Sequence, residues 1–234
     1  MHESDLIRHY ATIPVGTSFV RPVDVLHLLQ SQPIAAKPRV FDVGCGQGQV
    51  AIALAQAWPD AEIIAIDISP EQIAKARQAA TQAGIHSIQF GVADWREFDL
   101  PRSGVDIIIA AQVIQFMPDE HAFVEYLADA LALDGQLLLR SALLPEEEPG
   151  RSFVEQVVQQ WIAHSIRFYS ERNLTDLLRE CGLSRLRIDK EEMWLDNLPA
   201  ERQASLNRAL QQHSLGIDDV QQWFWAGSIV GVRR

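Results

Sequence analysis

Apolar residues recur along this chain with two periods, and the period changes at the turn signals. Residues 22–30 place apolar groups at helical spacing after Pro22, and proline suits a first helical turn. Gln32-Pro33 and Lys37-Pro38 interrupt that helix. Residues 39–43 form a short apolar run ending in glycines, and residues 49–58 an alanine-rich helix stopped by Pro59-Asp60. Residues 62–66 are almost wholly apolar, as in a parallel strand buried on both faces. Ser69, Pro70 and Gln72 stand as N-cap, first helical residue and N3, so a helix runs from there to near Gly84. Strands follow at 88–92, 105–110 and 135–139, with a helix over 119–131. Strand and helix alternate four times, which predicts a doubly wound α/β sheet.

After Leu144 the rhythm is looser. Helices are expected over 152–166, 173–180 and 199–212, and a strand over 186–188. A last strand is expected over 223–232, with Trp223, Phe224 and Trp225 alternating between its faces.

The 234 residues suffice for one domain with a full core, and 47% hydrophobic with 22% charged residues describes an ordinary globular chain. The net charge of -11 disfavours nucleic acid as a partner, and the longest basic run is Arg233-Arg234. Cys45 and Cys181 are the two cysteines; their spacing suits neither a zinc site nor a redox dithiol, so no metal is expected and a reducing compartment is. Residues 1–10 lack the apolar stretch of a signal peptide, and no apolar window is long enough to span a membrane. A cytoplasmic protein without membrane partners is the expectation.

The candidate chemistry begins at Asp42-Val43-Gly44-Cys45-Gly46-Gln47-Gly48. A strand that ends in glycines and enters a helix is a cradle for an anion or a nucleotide. A dinucleotide fingerprint would need a small residue where Gln49 stands, and a P-loop would need Gly-Lys-Ser/Thr. A glycine turn that binds nothing is the plain alternative. Asp67 closes the second strand about twenty residues on, where nucleotide folds place an acid on ribose hydroxyls. Asp94 ends the third strand in position to accept a hydrogen bond from an adenine amino group, with Trp95 beside it to stack on the ring. Singly, each acid is as well explained as a helix cap or turn residue.

Residues 40–48 resemble the first motif of class I S-adenosylmethionine-dependent methyltransferases. Asp67 matches that family's ribose-binding acid and Ala93-Asp94-Trp95 its adenine-binding turn. Residues 112–119 resemble the segment after the fourth strand, and residues 133–137 the loop before the fifth, with Asp134 and Gln136 replacing neighbours of Gly135. Phe19-Val20-Arg21-Pro22 resembles the small-molecule branch that includes trans-aconitate methyltransferases. The likeness covers roughly residues 20–140 and continues more weakly through 168–188 and the last strand.

The resemblance implies a Rossmann-like, mostly parallel seven-stranded sheet with helical lid insertions. Within one domain over 1–234 it implies an N-terminal helical cap (1–35) and a cofactor-binding core (36–141). Lid or substrate insertions would be 142–167 and 190–221, and 168–189 with 222–234 would complete the sheet. The cofactor implied is S-adenosyl-L-methionine. Gly44 and Gly46 would meet its methionine part, with Cys45 a small residue between them, while Gly48 would serve helix packing. Asp42 would position the loop or the amino group, Asp67 and Ile68 would flank the ribose, Asp94 and Trp95 the adenine. Gln112 would line the wall near the sulfonium, and Arg21 would reach the carboxylate or stand as a surface arginine.

Methyl transfer from a sulfonium is an in-line displacement that requires alignment and exclusion of water, with a base only where the acceptor must lose a proton. The candidates are scattered: Tyr10, His121, His164, Tyr169 and Arg140. His164 has the best claim to be a base, against a solvated helix histidine. Tyr169 would bind substrate or belong to the core. Arg140 would pair with an anionic substrate or form a salt bridge at the strand edge. Ala111-Gln112-Val113-Ile114 stands where base-modifying relatives carry Asn/Asp-Pro-Pro-Tyr, which favours a small-molecule acceptor. Two other functions stay open: a protein of this fold that binds the cofactor without transferring methyl groups, and an NAD-dependent oxidoreductase.

Overall fold

The structure, a computed structural model, describes residues 22–30, 34–161, 167–193, 195 and 198–233. Its first half follows the expected alternation: α1 (Pro22–Gln30), β1 (Arg39–Val43), α2 (Gln49–Ala57), β2 (Glu62–Asp67), α3 (Pro70–Gln82), β3 (Ile88–Val92), β4 (Val105–Ala111) and α4 (Glu120–Ala130). Ser69 caps α3 by accepting the Gln72 N–H at 3.3 Å, with Pro70 in the first turn. Asp119 caps α4 by accepting the Ala122 N–H at 2.9 Å. Both caps satisfy amides that a helix start leaves bare.

The second half comprises β5 (Leu131–Leu144), α5 (Gly150–Trp161), β6 (Tyr169–Ser170), α6 (Glu171–Glu180), β7 (Leu183–Glu192), α7 (Ala200–His213), α8 (Ile217–Val220) and β8 (Trp225–Arg233). Seven strands form one path in the order β3-β2-β1-β4-β5-β8-β7, and the two-residue β6 adds an eighth on β5. The pairings among β1 to β6 are parallel, and β8 runs antiparallel to both β5 and β7.

Alternation along the strands sorts the core into two faces. Val40, Ile63, Ile107, Ile109, Leu138 and Val230 pack with α1 and α2. Phe41, Val43, Ile108, Leu137, Leu139 and Ile229 pack with α4 and α6. A third cluster joins α5 and α7 to Ala142, Phe168, Leu195 and Phe224. No helix among the described residues is long and apolar enough to cross a membrane.

Two strand limits differ from the sequence expectation. The fifth strand extends well beyond 135–139 because its flanks also have partners: Leu131 pairs with Val105, and β8 continues the ladder to Leu143. The last strand starts at Trp225 rather than Trp223. Residues 221–223 tighten into a 3-10 turn closed by the Phe224 N–H on the Gln221 carbonyl (3.2 Å), so Trp223 does not alternate within a strand. The isolated strand predicted over 186–188 proves to be the middle of β7.

Arg140 lies within β5, 1% exposed. Its guanidinium donates to Glu191 Oε2 at 2.5 Å and to Ser228 Oγ at 2.8 Å. Of the two sequence readings of this residue, the structure shows the salt bridge, deep between strands rather than at an edge. A buried cation deprived of its carboxylate is costly. Because Glu191 is 28% exposed, we expect Glu191→Ala to lower the unfolding free energy by about 2 kcal/mol in urea titrations. The Glu191→Ala/Arg140→Met double variant should recover most of that loss.

Candidate functional site

The chain leaves β1, builds β2 and β3 on one side, and then crosses back to place β4 on the other. Strand order therefore reverses between β1 and β4, and the carboxyl ends there open a crevice where open α/β sheets bind ligands. Both of its walls can be read residue by residue.

The loop 44–48 forms one wall. Gly44 (φ 67°), Gly46 (φ 54°) and Gly48 (φ 75°) all occupy the left-handed region. A Cβ on Gly44 would lie 2.3 Å from Val113 Cγ2, so the loop and the segment after β4 are in direct contact. A Cβ on Gly48 would press on Ala76 and Phe90 at 3.0 Å, which gives this glycine a packing role between α2, α3 and β3. At Gly46 the same Cβ would meet nothing within 4 Å: the backbone there is open to a ligand. The Cys45 N–H donates to the Ile66 carbonyl at 2.9 Å, tying the loop to β2, and burial pushes the Cys45 thiol well up.

Two carboxylates flank this loop, Asp42 on β1 and Asp67 at the end of β2. Asp42, 2% exposed, accepts the Ala51 N–H in the first turn of α2. That turn lacks a side-chain cap of its own, and the positive end of the helix favours an anion. The second carboxylate oxygen, Oδ2, is buried and has no partner among the described residues. Burial raises the Asp42 carboxyl to about 7, with the nearby Asp67 charge adding to the rise. Asp67 accepts the Gly46 N–H on Oδ2 at 2.8 Å and the Ser69 N–H on Oδ1 at 2.9 Å, and so links the two loops. Burial raises its carboxyl too, opposed by the hydrogen bonds from Ser69, Gly46 and Ile68. Among the described residues, no cation is a cause of either shift.

Gln112 forms part of the opposite wall in a left-handed conformation (φ 60°), which costs a residue with a side chain about 1–2 kcal/mol. Its N–H donates to the Arg140 carbonyl at 2.7 Å, and its Oε1 accepts from Gln115 Nε2 at 3.2 Å. Val113 and Gln115 both escaped the sequence reading. The Gln112/Gln115 spacing of three was the available signal for the second; nothing local marks Val113 as the residue that excludes a side chain at position 44.

The third strand end is arranged differently from expectation. Both carboxylate oxygens of Asp94 engage Arg96, whose hydrogen bonds hold the carboxyl below its usual range. Trp95 packs against Phe123 (5.0 Å, edge-on) and Tyr126 (5.4 Å, tilted), so its ring is engaged with α4. Ile68 is half-buried beside Asp67. His121 lies on the outer side of α4 between Glu125 (3.5 Å) and Glu180 (3.3 Å), as a surface residue. Tyr169 is buried, and burial raises its phenol above the usual range. Arg21, His164 and Tyr10 lie outside the described residues.

Comparison with known proteins places this geometry in a family. Residues 34–182 match a family model described as a methyltransferase domain. The chain is 32% identical over 134 residues to a trans-aconitate 2-methyltransferase of Afipia carboxidovorans, covering 56% of this chain and 49% of that protein. It is 28% identical over 191 residues to the aklanonic acid methyltransferase DauC of a Streptomyces species, covering 74% of this chain and 86% of that one. The solved structure of the YcgJ protein from Bacillus subtilis has the same fold, with a TM-score of 0.73 at 19% identity over 92% of this chain and 99% of that one. The chain spans about half the length of the trans-aconitate relatives, 49% and 57% in two cases.

The buried Asp42 generates a pH prediction. Its folded-state pKa is raised from 3.8 to about 7, so the folded protein holds a proton that the unfolded chain releases between those values. The stability this confers is complete below the unfolded pKa and is lost as pH rises through the folded one. Asp42→Asn should therefore be more stable than wild type at pH 8, by roughly 4 kcal/mol, with the gap narrowing by more than half at pH 5 and closing only near the unfolded pKa. Chemical denaturation of both proteins across pH 5–8 measures it; a gap that does not depend on pH would exclude a buried, high-pKa Asp42.

Proposed function

This chain belongs to the methyltransferase domain family, and on that premise we propose that it binds S-adenosylmethionine on the β1–α2 loop for methyl transfer to a small-molecule acceptor. The observation that carries the reading is the charge of the cradle. A glycine loop for phosphates presents amides and a lysine. This one presents two buried carboxylates, and one oxygen of Asp42 has no partner among the described residues. Such a loop repels a pyrophosphate and suits an adenosine ligand carrying an ammonium group. The same charge, with Gln49 in place of a small residue, disfavours the nicotinamide alternative.

When bound, S-adenosylmethionine supplies a methyl group on a sulfonium that is already an activated leaving group. The protein's task is to hold and align. Asp42 accepts the amino group, Gly44 and Gly46 let the backbone approach the methionine portion, and Cys45 fills the turn between them. Asp67 takes the ribose hydroxyls with Ile68 beside it; each of its oxygens accepts one amide and retains capacity for another hydrogen bond. Gln112 borders the reacting centre from the β4 side. Arg21 takes the carboxylate of the ligand. For the adenine end, Asp94 remains the candidate acceptor, exchanging part of its bond to Arg96, while Trp95 supports the turn from its packing on α4.

We assign residues 142–167 and 190–221, which include α5 and α7, to the lid, and the N-terminal segment 1–35 to a cap. Water is excluded between them, as in-line transfer requires. His164 accepts a proton where the acceptor must lose one. Tyr169 contacts the acceptor. Arg140 positions that side of the site through its pair with Glu191 rather than by meeting an anion itself. The protein works in the cytoplasm on a diffusible metabolite and needs neither nucleic acid nor a membrane. A cofactor-binding protein without transfer is the second reading, favoured by the absence of a base among the groups bordering Gln112 within the described residues.

Calorimetry with S-adenosylhomocysteine should show saturable one-to-one binding, and Asp42→Asn should weaken it about tenfold, the loss of one charge-assisted hydrogen bond. Incubation of the protein and a metabolite extract with methyl-labelled S-adenosylmethionine should then label a small molecule. Binding without any labelled product would favour the second reading; no binding at all would exclude both.

A further inference from the structure

Near the β4 side of the crevice, three buried oxygens have no partner among the described residues: Gln115 Oε1, Ser141 Oγ and Tyr169 Oη. Their residues are 1%, 0% and 5% exposed. Native interiors rarely leave such groups bare, because a polar atom removed from water without a replacement bond is destabilising.

They also come from neighbouring places. Gln115 sits in the 3-10 turn (Ile114–Phe116) after β4, Ser141 lies on β5, and Tyr169 opens β6. Leu143 and Tyr169 are in parallel register, and Ser141 precedes Leu143 by two, so Ser141 and Tyr169 stand on one face of the sheet. The Gln115 carbonyl accepts the N–H of Arg167, two residues before Tyr169, at 3.4 Å. The Gln115 side-chain amide reaches Gln112, the wall of the cofactor crevice, at 3.2 Å. The three groups thus come from the carboxyl ends of β4 and β5 and from the start of β6, which is level with the end of β5.

Their chemistry is complementary to a particular ligand. Burial raises the Tyr169 phenol, with the Glu120 charge adding to the effect, so it stays an O–H donor. Ser141 offers a second hydroxyl, and Gln115 Oε1 can only accept. We propose that Gln115, Ser141 and Tyr169 form a neutral subsite for the methyl acceptor, taking a carbonyl or carboxylate that carries a neighbouring hydroxyl. The carbonyl or carboxylate oxygens receive the Tyr169 and Ser141 hydroxyls, and the ligand hydroxyl donates to Gln115. None of the three removes a proton; they orient the acceptor beside Gln112. This rests on the methyltransferase reading above.

The test uses the full chain, with Tyr169→Phe and Ser141→Ala, and a panel of hydroxycarboxylic acids beside their deoxy counterparts as methyl acceptors. The wild type should methylate members of the hydroxy set in preference to the deoxy set. Each substitution should raise KM for the preferred acid about tenfold, the loss of one hydrogen bond, with a smaller change in kcat. Binding of S-adenosylhomocysteine should be unaltered, and the ligand-free melting temperature unchanged or higher, because these oxygens hold nothing in the protein. A lowered melting temperature with unaltered KM would show a structural hydroxyl, satisfied by internal water, and overturn the proposal. So would equal use of the deoxy acids, or cofactor binding with no acid methylated. Failure of the wild type to bind S-adenosylhomocysteine would instead remove the methyltransferase reading itself.

Discussion

A carboxylate held out of water is the constraint around which the rest of the crevice is arranged. Asp42 lies on β1, on the face turned to α2, and the start of that helix offers it one amide. One amide does not satisfy two oxygens, so the charge is tolerated at a raised pKa and is stabilised further only by something that donates to Oδ2. Asp67, at the next strand end, is in the opposite condition. Its oxygens are already used to hold Gly46 and Ser69. Asp67 builds the loop and keeps only spare lone pairs for a ligand, whereas Asp42 leaves a whole oxygen unpaired among the described residues.

The glycines make that arrangement possible in three distinct ways. Gly44 is required by its neighbour Val113, Gly48 by the packing of α2 on α3 and β3, and Gly46 by its left-handed backbone, with open space around it among the described residues. The left-handed backbone they share turns the loop tightly enough for the Gly46 amide to face Asp67. The opposite wall carries its own strain at Gln112, held by a main-chain bond to β5. Strain on both walls of one crevice is the pattern expected where function opposes folding.

The strands, the glycine loop and the acids beside it were legible in the sequence because their determinants are local. A strand, three spaced glycines and an acid at the next strand end are all contiguous motifs, and the caps Ser69 and Asp119 are equally local. What escaped depends on pairing between distant segments. The full length of β5 is set by β8, which arrives some ninety residues later in the chain. Trp223 reads as strand by composition, but the pairing ladder stops at Trp225, with Glu192 opposite. Arg140 reads equally as a partner for an anionic substrate or as one half of an ion pair until β7 brings Glu191 against it. Trp95 reads as an aromatic beside an acid until α4 folds over it. The groups now proposed to meet the acceptor, Gln115 and Ser141, carry no motif; burial without a partner is what distinguishes them, and that property exists only in three dimensions.

The central claim is that the unpartnered Asp42 carboxylate receives the amino group of the cofactor. Titration of S-adenosylhomocysteine at pH 6, in buffers of different ionisation enthalpy, tests it directly. With its carboxyl at about 7 in the free protein, Asp42 is mostly protonated at that pH, and an arriving ammonium group would expel the proton. The account predicts release approaching one proton per ligand bound, abolished in Asp42→Asn. Binding whose heat does not depend on the buffer, or binding with proton uptake, would contradict it.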